Sequence, residues 1–280
     1  MKLQAFMRAV GVQVKEEVRI NLLGGSLFGL LITPIAIIGI SQWVNDTVIE
    51  EVQMTIGSYM FVSMLGGLAM MLVMHLNSEM MNDRLSGVLL RARSLPNGPL
   101  IWSVAKSTSM ALLVFLMQAV LLIAAFILFD FSDMGIARIL LLIGIMIFAV
   151  IAHAPLGLML GVLNRGVWIN MIILIGLLGV FITSGAAFPI SVLPRWLQVI
   201  QLALPVYWSG HLARWAVLPA ELGASEIVGG YQPLLAVGVL LAWIIIGYAI
   251  ASKLVKRFFR AESIGTLAKL QSSLKNQLGV

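Results

Sequence analysis

Of the 280 residues, 60% are apolar and 11% charged, and the mean hydropathy is +1.03. Soluble domains carry about a quarter charged residues, so a water-borne globular chain is excluded. The absence of cysteine also excludes disulfides, thiolate nucleophiles and cysteine metal sites, and the net charge of +6 has to be explained by where it sits.

In chain order, residues 3 to 19 read as an amphipathic helix. Leu3, Phe6, Met7, Val10, Val14 and Val18 fall at helical spacing, while Arg8, Lys15, Glu16 and Arg19 take the wet face. Segment 1–20 is therefore expected to lie flat in a membrane interface. Six stretches without Lys, Arg, Asp or Glu follow, at 20–45, 52–78, 107–129, 139–164, 166–194 and 227–252. A helix rises about 1.5 Å per residue, so roughly 20 apolar residues cross a hydrocarbon core about 30 Å thick. The expected fold is an all-α integral membrane protein with six transmembrane helices.

The first span, near Leu22 to Ile40, holds Gly25 and Gly29 four apart and then Pro34, a small-xxx-small pair that permits close helix approach. Ile37 on the same helix reads as lipid-facing. The second span covers about Ile56 to Leu76, and a polar excursion over 77–102 carries Glu79, Asp83, Arg84, Gly87, Arg91, Arg93 and Pro96. The third span follows Lys106. The fourth, about 138 to 163, contains His153 and Pro155, and a short turn at Asn164 to Gly166 makes it a hairpin with the fifth.

Segment 188–233 differs in kind. Pro189, Pro194, Pro205 and Pro219 interrupt it, and Trp196, Trp208 and Trp215 favour headgroup depth. Two short helices in a re-entrant segment fit better than one span, with His75 and His211 placed at the interface. The sixth span, about 234 to 252, precedes a second amphipathic helix over 261–280, with Ile264, Leu267, Leu270, Leu274 and Leu278 on one side.

Six spans put both termini on one side, together with 15 of the 18 basic residues; Arg138, Arg195 and Arg214 lie opposite. The positive-inside rule makes the basic side cytoplasmic, in a cell membrane. The basic charge then records topology and anionic lipid, not nucleic acid. No catalytic constellation or metal spacing is visible among His75, His153 and His211, and His153 reads as a bundle-facing, hydrogen-bonded side chain. No Gly-Lys dipeptide exists, so no Walker A loop does either.

The stretch SEMMNDRLSGVLLRARSLPNGPLIWSVAK, Ser78 to Lys106, resembles the signature region of the ABC-transporter type-2 permeases. Asp83-Arg84, Gly87-Val88-Leu89, Pro96 and Lys106 stand where that family has charged residues, a Gly-Thr-Leu-like step, a proline and a span-opening lysine. SGAAFPISVLPRWLQVIQLALPVYW is similar to the family's segment between spans five and six, through Gly185 to Pro189, Leu193 to Trp196 and Leu204-Pro205. Val88, Leu90 and Leu95 depart from the usual residues.

The resemblance covers the whole chain as one transmembrane domain, 1–280. It implies a permease subunit paired with a second, identical or homologous, permease above two cytoplasmic ATPases. This chain would bind no cofactor, ATP and Mg acting on the ATPases. Glu79, Asp83, Arg84 and Gly87 would form a coupling helix. Gly25, Gly29, Gly176 and Gly179 would line the dimer seam, and Pro189, Pro194, Trp196 and Pro205 would shape the external re-entrant segment. The expected activity is ATP-driven export of an amphiphilic drug-like or lipid-like compound. A polysaccharide or lipid-linked glycan exporter is the alternative, and a membrane enzyme or a non-transporting assembly protein the more distant ones.

Overall fold

The computed structural model describes residues 3–24, 26–49, 54–128, 134–227, 229–263, 265, 268, 271 and 272. Gly25 and the apolar stripe expected for the last helix (Ile264, Leu267, Leu270, Leu274 and Leu278) lie outside these residues.

Helix α1 (Leu3–Leu23) is amphipathic, and its half-buried stripe of Phe6, Val10, Val14, Val18 and Leu22 packs towards α6 (Gly98–Leu128). Leu3 and Met7, expected on that stripe, are 72% and 63% exposed. By helical angle they belong to that stripe, but they sit in the first two turns of α1 and stay exposed there. Helix α2 (Ser26–Trp43) runs through Pro34 and buries Leu30 and Ile37 in the main core. Ile37 is thus not lipid-facing; the exposed side of α2 carries Phe28, Gly29, Ile32 and Ile35 instead. The linker to the next helix forms a two-residue antiparallel pair, β1 (Val48–Ile49) with β2 (Met54–Thr55), the one departure from all-α among the described residues.

Helix α3 (Ile56–Gly67) is capped by Thr55, whose hydroxyl accepts from Ser58 N–H at 3.2 Å. It meets α4 (Met70–Leu85) at a bend of 50°. The second span is therefore not one straight helix. Gly66 and Gly67 occupy the bend, where glycine pairs kink helices readily. A Cβ at Gly66 would run into the Ser209 carbonyl, so glycine permits the backbones of α3 and α10 (Pro205–Val217) to touch.

Helix α4 ends at Gly87, whose φ of +73° reverses the chain into α5 (Val88–Ser94). Gly87 N–H donates to the Arg84 carbonyl at 3.1 Å, closing the last turn. Leu95 to Asn97 then lead into α6. Helix α7 (Ile136–Leu163) packs along α4, with Gly157 against Leu76 and Gly161 against Met80.

Helix α8 (Val167–Phe181) runs into a π-turn at Ile182–Ala186. Pro189 caps a 3-10 turn, Ile190–Val192, and Pro194 precedes α9 (Arg195–Ala203). Pro205 is the first residue of α10, where its missing N–H costs no hydrogen bond. The chain between α8 and α11 (Pro233–Ala242) thus holds two short helices broken at Leu204–Pro205, as the prolines predict. They differ sharply. Helix α9 is on the surface, with Trp196 64% exposed, whereas α10 is almost wholly buried against α3, α7 and α11. A π-turn at Trp243–Gly247 connects α11 to α12 (Tyr248–Ala261).

Four segments are long and apolar enough to cross a membrane singly: Gly98–Leu128, Ile136–Leu163, Val167–Ala186 and Pro233–Ala261. The bent pairs α1–α2 and α3–α4 raise the number to as many as six. Helix α2 alone has 18 residues, about 27 Å of rise, which is close to the hydrocarbon thickness.

Candidate functional site

The end of the bundle where α4 finishes and α6 begins gathers charge around Lys106. Glu79 and Asp83 are four apart on α4, which puts both on one face. Lys106 Nζ lies 3.2 Å from Glu79, 3.0 Å from Asp83 and 3.3 Å from Glu17 of α1. An ammonium has three donors, and here each meets a carboxylate from one of two other helices. Trp102, one turn earlier on α6, donates its indole N–H to Asp83 at 2.8 Å, and Ser109 donates to Glu17 at 2.5 Å. The cluster therefore pins α1 and α4 to α6.

Arg84 is buried beside it and forms a two-pronged pair with Glu262, through Nη2 at 3.0 Å and Nε at 3.2 Å. Its Nη1 donates to the Asn164 carbonyl at 3.1 Å, and Arg93 donates to the Glu262 carbonyl. Beneath it the amides of Asn77, Asn164 and Asn170 bond one another across α4, the α7–α8 turn and α8. Glu79, Asp83 and Arg84 are thus held by partners in their own chain. The outward surface of this segment is Asn82, Ser86, Arg91, Ser94, Leu95 and Pro96, with Gly87 at the corner.

A second polar centre lies at the opposite end. Tyr207, His211 and Arg214 recur at i, i+4 and i+7 on one face of α10, all with essentially no exposure. Arg214 grips Glu226 with two bonds, Nε at 2.5 Å and Nη2 at 2.9 Å. Its Nη1 donates to Ser63 of α3 and to the Gly185 carbonyl, each at 3.1 Å. Gly185 has φ +79°, a left-handed conformation that a side chain would strain.

Tyr207 OH donates to Glu226 at 2.8 Å, and the guanidinium lies 5.2 Å from the Tyr59 ring centre. Gln232 N–H donates to His211 Nε2 at 3.0 Å, which assigns the ring proton to Nδ1, 3.0 Å from Glu226 Oε2. His211 is accordingly internal, not interfacial: it has no exposure, its Nε2 accepts from Gln232, and its Nδ1 faces the Glu226 carboxylate. Burial alone would raise the Glu226 carboxyl, but Arg214 and the His211 hydrogen bond outweigh it and hold Glu226 below the usual range.

Of the residues expected at the seam, Gly29, Gly176 and Gly179 are exposed and face open space, and Gly25 lies outside the described residues. His153 is buried in α7, with Nδ1 2.7 Å from the Ala149 carbonyl. No group of three or more metal-ligating side chains occurs among the described residues. Sequence reasoning missed Glu17, Glu226 and Glu262. Gln13, Glu17 and Asn21 repeat every four residues beside the apolar stripe of α1, which was the available signal for the first.

The family model for ABC-2 type transporters matches residues 12–218, from α1 through the end of α10. The chain belongs to that family. No curated protein matches it. This ABC-2 chain is a transport permease and a multi-pass membrane protein. The match includes both the turn from α4 to α6 and the α8–α10 region, so it covers Lys106 and Arg214 but ends before Glu226 and Glu262.

Proposed function

We propose that this ABC-2 permease is the membrane part of an ATP-driven exporter for an amphiphilic drug-like or lipid-like compound. The observation that carries the reading is the character of α2 and α8. Both present exposed glycines, and neither contains Lys, Arg, Asp or Glu. A path along them offers nothing to fix an ionic cargo. Two permeases, identical or homologous, meet along these helices, and two separate cytoplasmic ATPases carry ATP and Mg. Cargo-stimulated ATP hydrolysis by the complex in lipid vesicles tests the reading. Amphiphiles should raise the rate; stimulation by a glycan-linked lipid alone would move the assignment to glycan export.

In this reading both termini and the Lys106 end are cytoplasmic, and segment 188–233 is external and re-entrant. Helix α10 has the cover such a segment needs, since α3, α7 and α11 surround it. A single cysteine at Ser94 should react only with cytoplasmic reagent and one at Ala224 only from outside. Both positions are exposed, and the native chain has no cysteine to confuse the labelling. Cytoplasmic labelling at Ala224 would overturn the orientation.

The coupling segment divides its work. Glu79, Asp83 and Arg84 stiffen it through internal ion pairs, and the ATPase groove meets Asn82, Ser86, Arg91 and Leu95. Gly87 sets the angle between the two helices that form this edge. Arg91→Glu with Leu95→Ala should abolish co-purification of the ATPase while the permease still inserts, because both side chains point outward. Undiminished co-purification would place docking elsewhere.

At the seam, Gly29→Leu should disrupt subunit cross-linking and export, since helices in lipid associate chiefly through close packing. The control is Gly144→Leu on α7, where the glycine is likewise exposed and open but belongs to another face. Equal tolerance at both positions would remove α2 from the subunit interface.

A further inference from the structure

Two cavities lie end to end along α6, on the side formed with α7 and α12, away from α2 and α8. The one nearer the start of α6 has a volume of about 180 Å³, and the next about 380 Å³. They share Ser107, Thr108 and Tyr248 as a common waist.

Their depths follow from α6. Lys256 and Pro99 stand at the outer end of the smaller cavity, at the first turn of the helix. Ser107 lies nine residues beyond Gly98, about 13 Å along the axis. Ser109, on the next turn face, bonds Glu17 of the amphipathic α1, the helix that marks the interface. With α1 in the membrane interface, as in the proposed topology, the smaller cavity falls at headgroup and glycerol depth. The larger one, lined by Leu112, Phe115, Ile147 and Ile151, is at acyl-chain depth.

Two polar groups at this groove lack partners. Ser107 is 92% buried, and its hydroxyl has no hydrogen-bond partner among the described residues. On the same helix the Ser103 hydroxyl bonds back to the Leu100 carbonyl in the ordinary way, and that of Ser109 has Glu17 as its acceptor. A buried hydroxyl without an acceptor is costly, so Ser107 calls for a ligand oxygen at the waist. Lys256 is exposed at the mouth and has no ion-pair partner among the described residues. The start of α6 beside it adds the positive end of a helix dipole.

We propose that this groove holds one phospholipid with an anionic headgroup. The phosphate sits between Lys256 and the first turn of α6, an ester carbonyl accepts from Ser107, and one acyl chain lies along Phe115 and Ile151. The site is separate from the path along α2 and α8, so it concerns a resident lipid and not the cargo. Lys253 is the internal control, since it shares the basic turn of α12 but does not line either cavity.

The test uses the full-length permease taken from vesicles of equal phosphatidylglycerol and phosphatidylcholine, with retained lipids counted by native mass spectrometry. The native protein should keep one phosphatidylglycerol in preference to phosphatidylcholine. Lys256→Gln should lower that preference about fivefold, the contribution of one basic side chain near an anionic surface. Ser107→Ala should lower retention of both lipids without changing their ratio, because the ester carbonyl is common to them. Lys253→Gln should change neither. Equal retention of the two lipids by the native protein would overturn the proposal. So would equal losses in Lys253→Gln and Lys256→Gln, which would assign the attraction to the basic surface as a whole.

Discussion

Arg214→Ala should destabilise the folded permease by about 3–5 kcal/mol, the cost of leaving a buried charge without its partner. The guanidinium is fully buried and makes four hydrogen bonds, two to Glu226 and one each to Ser63 and Gly185. Removing it strands the Glu226 carboxylate and unties α10 from α3 and the turn after α8. Denaturation in detergent micelles would measure the loss.

Glu226→Gln on top of Arg214→Ala should recover much of it, because the stranded carboxylate then carries no charge. Recovery should be incomplete, since Ser63 and the Gly185 carbonyl still lack their donor. Equal stability of Arg214→Ala and the native protein would mean that the network is ornamental to the fold.

The same pair sets an acid response. The folded state holds the Glu226 carboxyl below its ordinary value of about 4.3, so folding favours the ionised form. That stability is fully present above the ordinary value and is lost as pH falls through the folded one. Between pH 7 and 5 the contribution should be constant. Below about pH 4 the native protein should lose stability faster than the Arg214→Ala, Glu226→Gln double variant, which has no such carboxylate. Parallel acid curves would remove Glu226 from the account.

The apolar spans were legible because charge is expensive in hydrocarbon, and a run without it is visible at any register. The breaks in segment 188–233 were legible too, since prolines 189, 194 and 205 cap turns and open a helix as their chemistry requires. What the sequence hid was pairing over distance. Arg214, His211 and Tyr207 look interfacial until Glu226, on the far side of Leu218 and Pro219, folds back onto them. The Gly66-Gly67 pair is a local signal for a bend, but the close approach of the Ser209 carbonyl that Gly66 permits comes from another helix and is not announced locally.

The direction of Glu79 and Asp83 was closer to hand. Leu72 and Leu76 are buried on α4, and continuing their period leads to Glu79, Met80 and Asp83. A charged residue on the continuation of a buried stripe calls for a partner, and Lys106 at the head of an apolar run calls for one as well. The resemblance directed these charges outward to the ATPase, whereas the helical period directs them inward.

Lys106→Met is accordingly expected to do more than weaken one contact. It leaves three carboxylates, from α1 and α4, facing one another without a cation. The side chains of Glu79 and Glu17 are 30% and 17% exposed, so water relieves part of the repulsion. The cost should fall towards the lower end for a broken buried pair, about 3 kcal/mol. The larger consequence is mechanical, because α1 loses the ion pair that ties it to α6, and Glu17 keeps Ser109 as its one partner on α6, besides Gln13 of its own helix. A cysteine at Val14, half-buried on the inner stripe of α1, reports this directly. It should be protected in the Val14→Cys protein and reactive once Lys106→Met is added, whereas Lys106→Arg should preserve most of the protection. If Lys106→Met leaves Val14→Cys as protected as before, the apolar stripe alone holds α1, and the cluster serves α4 and Trp102 only. If protection is lost but ATP hydrolysis still responds to cargo, α1 is an anchor and the stroke passes from α4 to α6 without it. Loss of both would make Lys106 the junction through which movement of the coupling segment reaches the first helix.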